Sequence, residues 1–136
     1  MDKLQYKIYH ENKTHTPDDF PYNTYLCSIP LDFHSVNLHW HDEVEIIVIK
    51  KGIGIVSVDL TTYSVSAGDI IFVLPGQLHS ISQKDNEIME YENILFKSSL
   101  LKSSGYDLCS DKFIQPLFSG SLNICPVINN QTPYYP

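Results

Sequence analysis

The chain is predicted to be all-β, an antiparallel sandwich or barrel, on three observations. Between Val36 and Tyr91 the apolar segments are short and rich in Val and Ile. Turn residues punctuate them at regular intervals. No stretch of helical periodicity separates one from the next, and parallel sheets need crossover helices, so successive strands here pair antiparallel.

Taken in order, residues 1–20 are polar and mixed, and read as an arm with at most one short strand. Tyr22 to Pro30 carries aromatic and branched residues bracketed by Pro21 and Pro30, which predicts a strand. The run from His39 to Lys50 is strand-like; Gly52 and Gly54 interrupt it, and Ile55 to Val58 resumes. A tight connection at Asp59 to Thr62 leads into a strand at Tyr63 to Ser66. Ala67-Gly68-Asp69 is a turn, Ile70 to Leu74 a wholly apolar strand buried on both faces, and Pro75-Gly76 another turn. Leu78 to Ser82 alternates, Gln83 to Glu87 is a charged bend, and Ile88 to Phe96 is a further strand. Beyond it, Ser98 to Lys102 and Asp107 to Leu117 predict short helices, the second limited by Pro116. The closing stretch from Ser119 to Pro136 is turn-rich. Three regions follow: an arm over 1–20, a barrel core over 21–97 and an extension over 98–136.

With 136 residues, 43% hydrophobic and 18% charged, the chain suits one globular domain and is not a disordered one. Sixteen acidic against nine basic side chains leave a net charge of −7, which disfavours direct contact with nucleic acid. The start lacks the layout of a signal peptide and no apolar run is long enough to span a membrane, so a cytoplasmic location is expected. Cys27, Cys109 and Cys125 are odd in number and far apart, which points to buried or idle thiols rather than a disulfide framework or a cysteine zinc site.

One constellation could carry chemistry. Read as one strand, His39, His41 and Glu45 share parity and project from a single face. His79, just after the Pro75-Gly76 turn, can be brought beside them. Three imidazoles and a carboxylate make a first-row metal site with open positions, suited to zinc, nickel, iron or manganese rather than calcium. The alternative is that these four line the barrel mouth, bonded to one another, to water or to a small molecule. Ile47 and Ile49 share the parity of His39 and are expected to form an apolar floor below the polar group. Trp40 has the opposite parity and is expected in the core or an interface. His10, His15 and His34 lie in polar or loop-like sequence and are expected to be solvated. Phe113 and Leu117, with Tyr134 and Tyr135, could cover the barrel or take part in a dimer surface.

The order His39-x-His41-x3-Glu45-x6-Gly52, followed by Gly68 and then Gly76-x2-His79, resembles both signature motifs of the cupin double-stranded β-helix, a jelly-roll barrel. Every spacing of the first motif agrees. In the second, Leu74 stands at the usual proline place with Pro75 one position late, and Gln83 stands where asparagine is common. Among cupins, the stretches His39 to Gly52 and Ala67 to His79 look most like the N-terminal domain of AraC-type transcriptional regulators, a likeness covering most of residues 20–100. Phe113 to Leu117 is similar to the segment that follows the barrel in those proteins.

The resemblance implies a binding module with no turnover: the small-molecule-sensing and dimerising half of a bacterial regulator. DNA would be contacted only through a helix-turn-helix half that these residues do not contain. It implies an effector that is a sugar or related metabolite, a homodimer, and an arm able to close over the pocket. It also places the last strand along that pocket, which makes Tyr91 and Asn93 effector contacts beside His39, His41, Glu45, Ile47 and His79; the alternative for Tyr91 and Asn93 is one face of a solvated edge strand. The enzymatic rival is a stand-alone cupin in which His39, His41, Glu45 and His79 hold a metal for isomerase or oxygenase chemistry. A third reading, a storage or scaffold protein, predicts no small-molecule binding.

Overall fold

A computed structural model describes residues 1–11, 13, 15, 22–101, 112, 115–118 and 124–133. Helix α1 is Lys3–Ile8, and seven strands follow: β1 Tyr22–Ile29, β2 Ser35–His39, β3 Val44–Val58, β4 Thr61–Ser66, β5 Ile70–Val73, β6 His79–Gln83 and β7 Met89–Phe96. A 3-10 turn at Ser98–Leu101, a short helix α2 at Gln115–Phe118 and a two-residue strand β8 at Val127–Ile128 complete the described elements. Every pairing between strands is antiparallel.

The pairings form two layers that share β3. Its first half pairs with β7 and β5, which extend to β1 and β8. Its second half pairs with β4 and β6, and β6 continues to β2. Between the layers lies a core drawn from both: Ile29, Ile47, Ile49, Val56, Val65, Ile71, Ile81, Met89 and Tyr91. This all-β, two-layer arrangement is the predicted fold class.

Gly52 explains how one strand serves both layers. Rather than interrupting the strand, as its sequence position suggests, it bends it: φ is +79°, and a Cβ there would collide with the Ile88 carbonyl. A register shift between Ile49 and Lys51 marks the bulge. The connection from β3 to β4 is a two-residue turn in which Asp59 and Leu60 both take positive φ, the geometry that matches strand twist.

Several expectations change on contact with tertiary structure. The predicted strand from His39 to Lys50 is two strands, β2 ending at His39 and β3 starting at Val44. The arm carries a helix, not a strand, and Asp2 with Gln5 forms a reciprocal capping box that starts it. Ile70 to Leu74 is not uniformly buried: Ile71 and Val73 are inaccessible, whereas Ile70 and Phe72 are half-buried near the sheet edge. Pro116 sits in the opening turn of α2, where its missing N–H costs no helical bond, instead of limiting the helix from its far end. The closing segment, read as turns only, adds β8 to the edge of β5. Cys109, Phe113, Ile114, Tyr134, Tyr135 and most of the predicted helix from Asp107 lie outside the described residues. None of the described helices is long and apolar enough to cross a membrane.

Candidate functional site

His39, His41, Glu45 and His79 do converge, by a route that strand parity does not describe. His39 ends β2 and pairs directly with His79 at the start of β6. The chain then leaves that layer, bridges from Trp40 to His10, turns at Asp42-Glu43 and enters the other layer at Val44, so Glu45 arrives on β3. The four donor atoms lie within 4.8 Å of one another, with His41, Glu45 and His79 buried and His39 half-buried.

The hydrogen bonds fix the tautomer of each ring. His39 Nδ1 is 2.7 Å from the Asn37 carbonyl, His41 Nδ1 is 3.1 Å from the Glu43 carbonyl, and His79 Nδ1 is 2.9 Å from the Gln77 carbonyl. A carbonyl can only accept, so each Nδ1 carries the proton and donates. A neutral ring of this kind offers its Nε2 as a lone pair. The Nε2 atoms of His41 and His79 meet one carboxylate oxygen, Glu45 Oε2, at 3.1 and 2.7 Å. Lone pairs facing a carboxylate at that range repel. The cluster is satisfied only with protonated rings or with a cation among the donors, and backbone-oriented imidazoles beside a carboxylate are the donor set of a divalent metal. His39, His41, Glu45 and His79 are therefore the residues that fit such an ion.

The titration behaviour follows the same contacts. Burial disfavours the charge of Glu45, but hydrogen bonds from His41 and His79 outweigh it and hold the carboxyl well below the usual carboxylate range. Burial would lower His41 too, yet the bond to Glu45 and the charges of Glu45, Glu43 and Glu11 raise it above its ordinary value. His39 goes the other way, lowered by burial and by neighbouring His79.

These four residues line a cavity of about 370 Å³ between the layers. Tyr91 and Asn93, named from the sequence, also line it; the Tyr91 hydroxyl and Asn93 Oδ1 are buried without a hydrogen-bond partner. The hydroxyl lies beside the Cys27 thiol, too weak a partner to satisfy it, and burial holds the phenol above its ordinary value. Ile47 is inaccessible and belongs to the core cluster; it is not among the residues lining the cavity. Trp40 is likewise outside the lining, stacked on Tyr6 at 4.7 Å with its Nε1 donating to the Tyr6 carbonyl.

The resemblance implies an arm over the pocket, but the sequence singles out no residue of it as part of the site. Glu11, Lys13 and His15 line the cavity. His15, expected in solvent, is 9% exposed, its ring bonded to Tyr25 and to Glu11 and its backbone N–H donating to Glu43. His10 and His34 are exposed as expected. The Glu11 carboxyl, although burial raises it, is held below its ordinary value by the bond to His15 and by the charges of His15, His39 and His41. Lys13 Nζ stands 5.0 Å over the Tyr25 ring. No local signal marks these positions, because the arm is placed by long-range bonds to Trp40: its N–H donates to the Tyr9 carbonyl and its carbonyl accepts from Glu11. Of the described thiols, Cys27 is half-buried in the cavity wall and Cys125 is exposed, and both are free, as expected of cysteines outside a disulfide framework.

A two-layer antiparallel barrel with three histidines and a glutamate opening on an inner cavity defines a cupin domain. Within that class, the chain belongs to the AraC-like ligand binding domain family, whose profile matches residues 25–125. It is 30% identical over 78 residues to the uncharacterized HTH-type transcriptional regulator YdeC of Bacillus subtilis (strain 168), a match that takes in 57% of this chain and 27% of that protein. Its fold is similar to a cupin protein from Bacteroides fragilis at 22% identity and TM-score 0.54, covering 67% of this chain and 79% of the other. It is also similar to a protein described as a predicted oxalate decarboxylase from Thermotoga maritima, at 29% identity and TM-score 0.51, covering 54% and 64%.

Proposed function

We propose that this chain is the effector-sensing domain of an AraC-type transcription regulator and turns nothing over. The observation that carries the reading is the cavity, in which the Tyr91 hydroxyl and Asn93 Oδ1 are buried and unpaired. Buried polar atoms without partners cost about 1–3 kcal/mol each, a cost that a ligand with matching polar groups removes. A polyhydroxylated metabolite such as a sugar has that chemistry and fits about 370 Å³. His39, His41, Glu45 and His79 form the polar end of the site. Family membership and likeness to a regulator support a cytoplasmic, homodimeric protein that reaches DNA through a separate helix-turn-helix half. An effector acts on such a protein only by preferring one of its arrangements.

Thermal-shift screening of small sugars and polyols tests this. A binding compound should raise the unfolding temperature with concentration, and Tyr91→Phe with Asn93→Leu should remove that shift. A compound that stabilises wild type and double variant equally would overturn the assignment of these two residues. Sedimentation with and without the compound tests the dimer.

The donor set favours a second component, a divalent metal on His39, His41, Glu45 and His79. Such an ion would supply positive charge where Glu45 now meets two imidazoles, and would offer a coordination point for a ligand hydroxyl. Stoichiometric metal that resists chelator, together with turnover of any cavity ligand, would replace the sensor reading with the enzymatic one.

A further inference from the structure

Glu11 is a carboxylate fixed at one oxygen and open at the other. Its Oε1 is 2.9 Å from His15 Nε2, and His15 is itself held by Tyr25 and by the Asn23 amide donating to its carbonyl. The carboxylate therefore cannot swing away without breaking that chain of bonds. The other oxygen, Oε2, is buried and has no hydrogen-bond partner. It lies 3.5 Å from His39 Nε2, the nitrogen that the Asn37 carbonyl leaves unprotonated in the neutral ring.

Two donors on one ion at metal–ligand distances of about 2.1 Å stand about 3.0 Å apart at a right angle and about 4.2 Å apart across the ion. The contacts of Glu45 Oε2 with His41 and His79, at 3.1 and 2.7 Å, have that adjacent spacing, and the contact between Glu11 and His39 falls inside the same range. Charge points the same way. Glu45 is the one carboxylate among the four donors, and Glu43 faces the far nitrogen of His41 at 3.6 Å, so Glu11 adds the second negative charge on the side where the Nε2 atoms open.

We infer that Glu11, on the segment between α1 and β1, is a further protein ligand of a divalent cation held by His39, His41, Glu45 and His79. The inference rests on the metal reading of the site given above. Five protein donors exceed the four of a tetrahedral zinc site, so the ion is one that takes five or six ligands, such as manganese, iron(II), nickel or cobalt. Because Glu11 belongs to the N-terminal segment, the same ion would fasten that segment to the barrel.

The test is a titration of the metal-free chain with cobalt(II), read by chelator competition and by the visible d–d spectrum, which distinguishes four-coordinate from five- and six-coordinate cobalt. Glu11→Gln keeps the shape and can still accept from His15, so the metal-free unfolding temperature is the check on folding. Wild type should bind one cobalt with the weak absorption of high coordination. Glu11→Gln should bind at least tenfold more weakly, with a spectrum shifted toward lower coordination. Should Glu11→Gln itself unfold, Glu11→Asp, which keeps the charge one methylene short, should give the same change of spectrum. Wild-type affinity and an unchanged spectrum in the variant would overturn the role of Glu11 while leaving the four-residue site standing. Failure of wild type to bind cobalt, manganese or nickel would overturn both.

Discussion

Two walls of one cavity are built on opposite principles. At the histidine end each Nδ1 of His39, His41 and His79 is tied to a backbone carbonyl, and two Nε2 atoms share a single oxygen of Glu45. Along β7, the buried Tyr91 hydroxyl has only the weak Cys27 thiol beside it and the buried Asn93 Oδ1 has no partner. The first wall satisfies itself, given protons or a cation. The second can be satisfied only from outside. Geometry is therefore set within the histidine wall, whereas β7 carries buried polar atoms that the protein leaves without strong partners.

The largest effect that would break this contrast is on stability. In the metal-free protein, Glu45→Ala leaves two imidazoles without their shared partner and should lower the unfolding free energy by about 2–3 kcal/mol, less than the usual cost of a broken buried pair because a neutral imidazole needs no counter-charge. Tyr91→Phe removes an unpaired hydroxyl and should leave stability unchanged or raise it by up to about 1 kcal/mol. Urea denaturation at neutral pH measures both. Equal losses in the two variants would mean that the β7 wall is internally bonded after all.

Titration sharpens the histidine side. Glu45 has a depressed folded value, so its contribution is complete above the ordinary glutamate value of about 4.3 and is lost as pH falls through the folded one. His41 has a raised folded value, so its contribution is complete below about 6.5 and is lost as pH rises through the folded value. For His39, with a depressed value, the neutral ring is the one the fold favours; its contribution is present above about 6.5 and is lost as pH falls through the folded value. Imidazole NMR on metal-free protein should therefore show His39 titrating below about 6.5 and His41 above it. Two rings that titrate together would show that Glu45 does not separate them.

The same contrast shows what the sequence could and could not convey. Spacing carried the histidine wall, because His39-x-His41-x3-Glu45 is local and the turn at Pro75-Gly76 returns His79 to it. His39, His41 and Glu45 converge although no single strand runs through them, since a chain crossing between layers at Trp40 keeps neighbouring residues near one mouth. Alternation also carried most strands, and Gly52 was legible as punctuation but not as a bend, because the colliding Ile88 carbonyl is far away in sequence. The arm was legible only through the family resemblance, and not by residue. Glu11 and His15 sit in polar sequence with no periodicity, and only tertiary bonds to Trp40, Tyr25 and Glu43 bring them inside. The capping box at Asp2 and Gln5 was the one local signal for α1, and it marks a helix, not a site.

The smallest predicted effect supplies a reference that touches neither wall. Leu60 is held at φ +67° in the β3–β4 turn, is 58% exposed and does not line the cavity. A left-handed backbone costs a branched side chain about 1–2 kcal/mol, whereas glycine adopts it freely but gives up more entropy on folding, so Leu60→Gly should stabilise by about 0.5–1 kcal/mol. The His39 and His41 titrations and any ligand-induced thermal shift should be unchanged. If they move with Leu60→Gly, stability and site geometry are coupled through β3, and the losses measured for Glu45→Ala could not be assigned to the histidine wall alone.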